Sequence, residues 1–267
     1  MTGSDAGVGR GTAFSDVAFA ERGVCLPAAD ALVVADLHVG RGEASAVSLP
    51  LGERADLVDR LGALLDRFDP ETVIVAGDVV HTFDRVTDRA LETLDALREA
   101  CSAREADLEL VAGNHDTALA NAWEGSLREA YVVEEPVGDE TVDDGSTENG
   151  SVDGGSGTRT TAICHGHEPP STAADRYVFG HVHPTIEIDG DRRPCFLRGA
   201  GTYRGADVLL LPAFTRLAAG VPVNDAVGGG LASPLVDDAA AMAPTVYDAD
   251  AGEPLRFPPL GEFGRLL

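Results

Sequence analysis

Ala31-Leu-Val-Val-Ala-Asp36-Leu-His38-Val-Gly40 is the stretch that decides the fold class. Its first five residues are apolar without interruption, and the run breaks on a carboxylate. A strand with one wet face alternates apolar and polar residues. An unbroken apolar run of this length is a strand covered on both faces, the habit of parallel sheets. Thr72-Val-Ile-Val-Ala76 repeats the design and breaks on Gly77-Asp78. Leu108-Glu-Leu-Val-Ala112, apolar except for Glu109, is a third run and breaks on Gly113-Asn114-His115-Asp116. Between the three runs lie two helical stripes. One spans Leu51 to Phe68, with Leu57, Val58, Leu61, Leu64 and Leu65 on one side and Pro70 as its stop. The other spans Asp88 to Ala100, with Leu91, Leu94 and Leu97 together. Strand, helix, strand, helix, strand predicts a right-handed βαβ series and a parallel sheet.

The second half carries shorter apolar runs: Thr160 to Cys164, Arg176 to Phe179, Thr185 to Ile188, Pro194 to Arg198 and Val208 to Leu211. Asp189-Gly190-Asp191 reads as a hairpin turn between the third and fourth of them. The expected architecture is α/β: one domain over residues 17–267, with two mixed sheets packed face to face and helices outside. Residues 1–16 are rich in Gly, Ser and Thr and read as a flexible N-terminus. Val137 to Gly157 is a Gly, Ser and acid tract with almost no apolar residue. It cannot bury enough surface to offset the entropy of ordering, which predicts a disordered acidic insertion at about 137–157.

The chain has 267 residues, 44% hydrophobic and 24% charged, which excludes disorder of the whole and any coiled-coil rod. Its formal charge is −25, from 45 acids against 20 bases, and every base is Arg, because the sequence holds no Lys. The acids are spread along the chain and not gathered in a tail, the pattern of a halophilic protein. In molar salt the Debye length is about 3 Å, which screens most of the self-repulsion. No basic nucleic-acid-binding face is visible. Cys25, Cys101, Cys164 and Cys195 are far apart and read as reduced thiols. No secretory h-region and no apolar run of 18 residues occurs, so the expected location is the cytoplasm, with no membrane partner.

All seven histidines fall in or beside five short blocks, each after a predicted strand. The blocks are Asp36-Leu-His38, Gly77-Asp78-Val-Val-His81, Gly113-Asn114-His115-Asp116, His165-Gly-His167 and Gly180-His181-Val-His183. One such block reads as loop polarity; five together, with no histidine left over, read as a site. In extended chain, residues i and i+2 share a side, so Asp36 with His38, and His181 with His183, can bite one ion. Open α/β sheets bind ligands beyond the carboxyl ends of their strands, where these blocks lie. A donor set of carboxylates, imidazoles and one amide suits Mn²⁺, Fe, Zn²⁺ or Mg²⁺.

The order D-x-H, G-D, G-N-H-D, H-G, G-H-x-H over residues 36 to 183 resembles the calcineurin-like metallophosphoesterases. The resemblance implies a four-layer αββα sandwich and hydrolysis of phosphoester bonds by metal-activated water. Asp36-Leu-His38-Val-Gly and Gly77-Asp78-Val-Val-His81 resemble the SbcD-related branch. Leu211-Pro-Ala-Phe214 and Gly220-Val-Pro-Val-Asn224 are similar to small archaeal SbcD-related phosphoesterases and to bacterial ligase-associated phosphodiesterases. Carried over residue by residue, Asp36, His38 and His183 hold one divalent ion, and Asn114, His165 and His181 a second. Asp78 bridges them. Mn²⁺ comes first among the metals, with Fe, Zn²⁺, Ni²⁺ and Mg²⁺ as alternatives. His115 serves the leaving oxygen, and Asp116 orients His115 or caps a helix. His167 competes with His165 as the ligand, or contacts substrate. His81 and Arg41 contact substrate or are plain loop residues. Trp123 and the few other aromatics show no stacking platform for a single strand. The implied substrate is a phosphodiester, with nucleic acid as a candidate. The alternatives are a small-molecule or nucleotide phosphatase and a non-catalytic metal-binding scaffold.

Overall fold

The computed structural model describes residues 13–44, 52–137, 157–224, 226 and 230–263. Two mixed sheets carry the chain. The first runs in the order β1 (Ala18–Ala20), β2 (Gly23–Leu26), β3 (Ala31–Val34), β4 (Thr72–Ala76), β5 (Asp107–Val111), β6 (Leu127–Arg128). Strands β3, β4, β5 and β6 are parallel, as the apolar runs predict. The crossovers are α2 (Glu53–Phe68) and α3 (Asp88–Ser102), while α1 (Arg41–Ala44) and α4 (Leu119–Ala122) are single turns after β3 and β5. Helix α3 starts where the Thr87 hydroxyl accepts the Ala90 N–H at 3.1 Å, and α2 ends on Asp69 in the left-handed region just before Pro70.

The second sheet joins β7 (Ala130–Val137), β8 (Gly157–Cys164), β9 (Arg176–Phe179), β12 (Phe196–Tyr203), β13 (Ala206–Leu210), β15 (Ala243–Asp248) and β16 (Glu253–Arg256). Their order is β16-β15-β12-β13-β9-β8-β7. A small third sheet holds β10 (Pro184–Ile188), β11 (Asp191–Pro194) and β14 (Val221–Pro222). The run expected over Pro194 to Arg198 is therefore two strands. Asp191–Pro194 closes a hairpin on β10 through Asp189-Gly190, both at positive φ, and the chain breaks at Cys195 before β12 begins.

Three apolar clusters show the layers. The leucines of α2 and α3 pack on Leu32, Val34, Val73, Val75 and Leu110 of the first sheet. Val33, Ile74, Val111, Ile163, Val178 and Leu209 meet between the two sheets. Ala162, Phe179, Val208 and Leu210 face outward from the second sheet, under Leu235, Ala239 and Leu260 of the C-terminal turns. The fold is thus the mixed α/β sandwich that the strand pattern calls for.

Two boundaries differ from expectation. Phe14 is buried, and Asp16 pairs with the fully buried Arg176 at 2.9 Å, so the packed chain begins before residue 17. Residues 1–12 lie outside the described ones. At the acidic tract, β7 and β8 pair down to Val137 opposite Gly157, so both end residues belong to the sheet. Residues 138–156 lie outside the described ones.

Candidate active site

Strands β3, β4 and β5 of the first sheet end beside β8 and β9 of the second, and the five histidine blocks follow those ends. The blocks are not extended. Asp36, His38, Asp78, His181 and His183 sit at φ of 56°, 45°, 46°, 73° and 53°. The chain curls over each strand end, and that curl, not the two-residue period of a strand, turns their side chains inward. Backbone bonds fix the curls: the N–H of Asp36 donates to Gly77 O at 3.1 Å and that of His38 to Asp78 O at 2.9 Å. His181 N–H donates to both Asp36 oxygens, at 3.1 and 2.9 Å, which ties the second sheet to the first. Two glycines allow the approach. A Cβ on Gly113 would collide with the Asp78 backbone, and one on Gly180 with the Asp36 carboxylate.

Asp36, His38, Asp78 and His183 each offer one ligand atom within 4.8 Å of the others; Asp78, His165 and His181 do likewise. His38 Nε2 stands 3.2 Å from His183 Nε2, and His183 Nε2 stands 3.5 Å from Asp36 Oδ1. In the second group His165 Nε2 lies 3.0 Å from Asn114 Oδ1 and 3.1 Å from His181 Nδ1. Asp78 belongs to both: Oδ2 is 3.7 Å from His38 Nε2 and Oδ1 is 3.3 Å from His165 Nε2. His165 Nδ1 is 3.4 Å from the Ala76 carbonyl; donating there leaves the Nε2 lone pair turned into the group. His167 falls outside both groups. Gly166, at φ 95°, reverses the chain and sends His167 toward Glu168, at 3.9 Å.

Electrostatics agree with the donor geometry. Burial, then the charge of Asp36, pushes the Asp78 carboxyl up to about 7. Burial presses His38 down to about 3 and His165 to about 4, and lowers His181. His183 moves up, because its bond to Asp36 and the two carboxylate charges overcome burial; Asp36 moves down for the reciprocal reason. Burial thus favours neutral His38, His165 and His181, while Asp78 and His183 hold on to their protons and the lone pairs of the set converge. Such a set is satisfied by cations, so the residues fit two divalent ions.

His115 and Asp116 part company. The His115 backbone N–H donates to Asp78 Oδ1 at 3.0 Å, and its Nδ1 donates to the His81 carbonyl at 2.7 Å. Nε2 is left facing Asp78 Oδ2 at 3.8 Å. Asp116 was expected to orient this ring or to cap a helix; it does neither. Its carboxylate accepts the N–H groups of Val79, Val80 and Gly113 at 3.1, 2.9 and 2.8 Å. The His81 carbonyl has taken the orienting part, while Asp116 pins the G-N-H-D loop to the loop after β4.

His81 lies near His38 and His115, which together form a third imidazole group. Burial lowers its pKa, helped by the charge of Arg41. Arg41 is held by a 3.1 Å bond from Nε to Leu217 O, and its charge also reaches His183. The tail motifs buttress the site from behind. Phe214 N–H donates to Ala35 O at 2.7 Å, and Val221 N–H to His183 O at 2.9 Å. Sequence reading passed over two residues. Ser233 donates to Gly166 O at 2.7 Å and braces the His165 loop. Phe83 lies flat on His115, centroids 3.8 Å apart. The available signal for Phe83 was its place two residues beyond His81. Trp123 lies instead against the α3 core with Arg98 over its ring.

Sheet ends, paired imidazole–carboxylate groups and a shared aspartate together define a metal-dependent hydrolase of phosphoric esters. The chain belongs to the calcineurin-like phosphoesterases, whose family model matches residues 30–185. Among solved structures it is similar to the Pseudomonas putida nuclease MPE, at 27% identity and TM-score 0.50, over 88% of this chain and 92% of that one. YfcE, a phosphoesterase from E. coli, matches at 15% identity and TM-score 0.38, over 82% of this chain and 88% of that one. No curated protein matches the chain in sequence. No helix among the described residues is long and apolar enough to cross a membrane.

Proposed function

We propose that this chain is a dinuclear, Mn²⁺-dependent phosphodiesterase of the SbcD-related type, with nucleic acid as its substrate class. The observation that carries it is the pair of Asp78 oxygens, one turned to each donor group. In this reading Asp36, His38 and His183 hold one ion, Asn114, His165 and His181 the other, and Asp78 both. Ions held there supply a water of lowered pKa and neutralise phosphoryl oxygens. The protein's own part is proton traffic at His115. With Nδ1–H committed to the His81 carbonyl, Nε2 is the ring nitrogen free to give a proton to the leaving oxygen. The similarity to a nuclease supports a diester. The charge of −25 supports a halophilic setting, and four buried free cysteines suit a reducing cytoplasm.

The test is metal-stripped protein reconstituted with Mn²⁺, Mg²⁺, Zn²⁺ or Ni²⁺ in molar KCl, then offered bis(p-nitrophenyl) phosphate, p-nitrophenyl phosphate and single- and double-stranded DNA. The expected result is two Mn²⁺ bound and diesters favoured over the monoester, with DNA cleaved. Hydrolysis confined to the monoester would establish the small-molecule phosphatase alternative instead.

A further inference from the structure

Phe83 is 53% exposed, the only aromatic among the exposed large hydrophobic residues described. The other three, Val132, Val221 and Leu255, lie on strands. The ring lies against His115 at the edge of the donor groups, so its exposed part borders the reaction centre. One side of the ring is occupied: it stacks on His115 at 3.8 Å and 28°. About half of the residue remains open to solvent. His115 in turn has its Nδ1 tied down and its Nε2 aimed over Asp78. A leaving group protonated by His115 therefore departs beside the Phe83 ring.

We propose that Phe83 stacks on the base of the departing nucleoside and makes the enzyme selective for diesters whose leaving group carries a base. This rests on the diesterase reading above. Stacking suits this chain's charge. A protein at −25 has little basic surface for holding phosphates, and ion pairing weakens in concentrated salt, whereas a π-face binds any base without regard to salt screening. Base identity matters little, since every base has such a face.

Two substrates isolate the effect: the dinucleotide dTpdT, and its analogue with a tetrahydrofuran abasic sugar on the leaving side. Base stacking lost on substitution is worth roughly 1–3 kcal/mol, which is about 5- to 150-fold in kcat/KM. Phe83→Leu keeps an apolar cover over His115 but removes the ring. It should lose that factor on dTpdT, chiefly in KM, and leave the abasic analogue unchanged. Phe83→Trp should retain the wild-type preference. A binding readout stands apart from turnover: 2-aminopurine nucleotide should be quenched by wild-type protein and not by Phe83→Leu. Equal loss on both substrates would show that Phe83 merely positions His115 and would overturn the inference. So would wild-type hydrolysis of the two substrates at equal rates. If the wild type cleaves no diester at all, the diesterase reading has failed, and the quenching measurement still decides whether Phe83 binds bases.

Discussion

Removing the Asp116 carboxylate should unfold the site before it disturbs the chemistry. In Asp116→Ala the N–H groups of Val79, Val80 and Gly113 lose their acceptor at once. Asp116 is 1% exposed, so water reaches those donors only by opening the loops. A buried donor left unsatisfied costs about 1–3 kcal/mol. Three of them would sum to roughly 3–9 kcal/mol, but the wild-type carboxylate already carries a burial penalty, seen in its raised pKa, and this offsets part of the loss. A net destabilisation of about 4 kcal/mol is expected, or roughly 10 °C in Tm for a chain of this size. Asp116→Asn keeps one acceptor oxygen for the Val79 and Gly113 donors and turns its amide toward Val80, so it should cost about half as much. The assay is denaturant unfolding in molar KCl with EDTA, followed by metal content of the folded variants. The rival role, orienting His115, forecasts the reverse: unchanged stability and a lower kcat. A midpoint within about 1 kcal/mol of wild type in Asp116→Ala would refute the pinning argument.

Other outcomes follow from the same geometry. His115→Ala should keep both metals while lowering kcat by about 10²–10⁴-fold, and metal analysis beside turnover distinguishes that from a ligand's loss. Mn²⁺ binding should release protons at pH 6. The Asp78 carboxyl, held at about 7, is then largely protonated and must ionise to coordinate, so calorimetry in two buffers should count at least one proton, declining as pH passes 7. Equal heats in both buffers would contradict the raised pKa. Replacing residues 138–156 by Asn-Gly should leave fold and metal content intact, since Val137 and Gly157 already face each other across β7 and β8. Loss of folding at high salt would show that the tract packs.

The strand ends were legible because a fully covered strand must be apolar throughout and can turn polar only where it leaves the sheet. Asp36, Asp78 and His165 announce themselves that way. Spacing did not yield how the side chains converge, because φ is invisible in residue type: Asp36-Leu-His38 reads as extended chain, yet both ends sit in the left-handed region. Asp116 escaped for another reason. Its partners Val79 and Val80 are backbone groups 37 and 36 positions away, and a backbone donor leaves no mark in sequence. Strand β7 hid behind Glu134, Glu135 and Pro136. Glu135 is buried against Thr161 at 2.5 Å and near Arg176, a placement its residue type argues against. Strands β1, β2, β15 and β16 are three to six residues long, too short for periodicity to speak.

The curled strand ends bear on how such a site could decay. Left-handed backbone costs an ordinary side chain about 1–2 kcal/mol per residue, and Asn, Asp, His and Gly tolerate it best. Those residues overlap with the ones that can coordinate a hard cation. At Asp36, His38, Asp78, His181 and His183, a change to Val or Leu would therefore be opposed by the backbone as well as by the lost donor. A lineage that abandoned catalysis but kept this fold would drift at these five positions toward Asn and Gly, not toward the apolar residues that surround them.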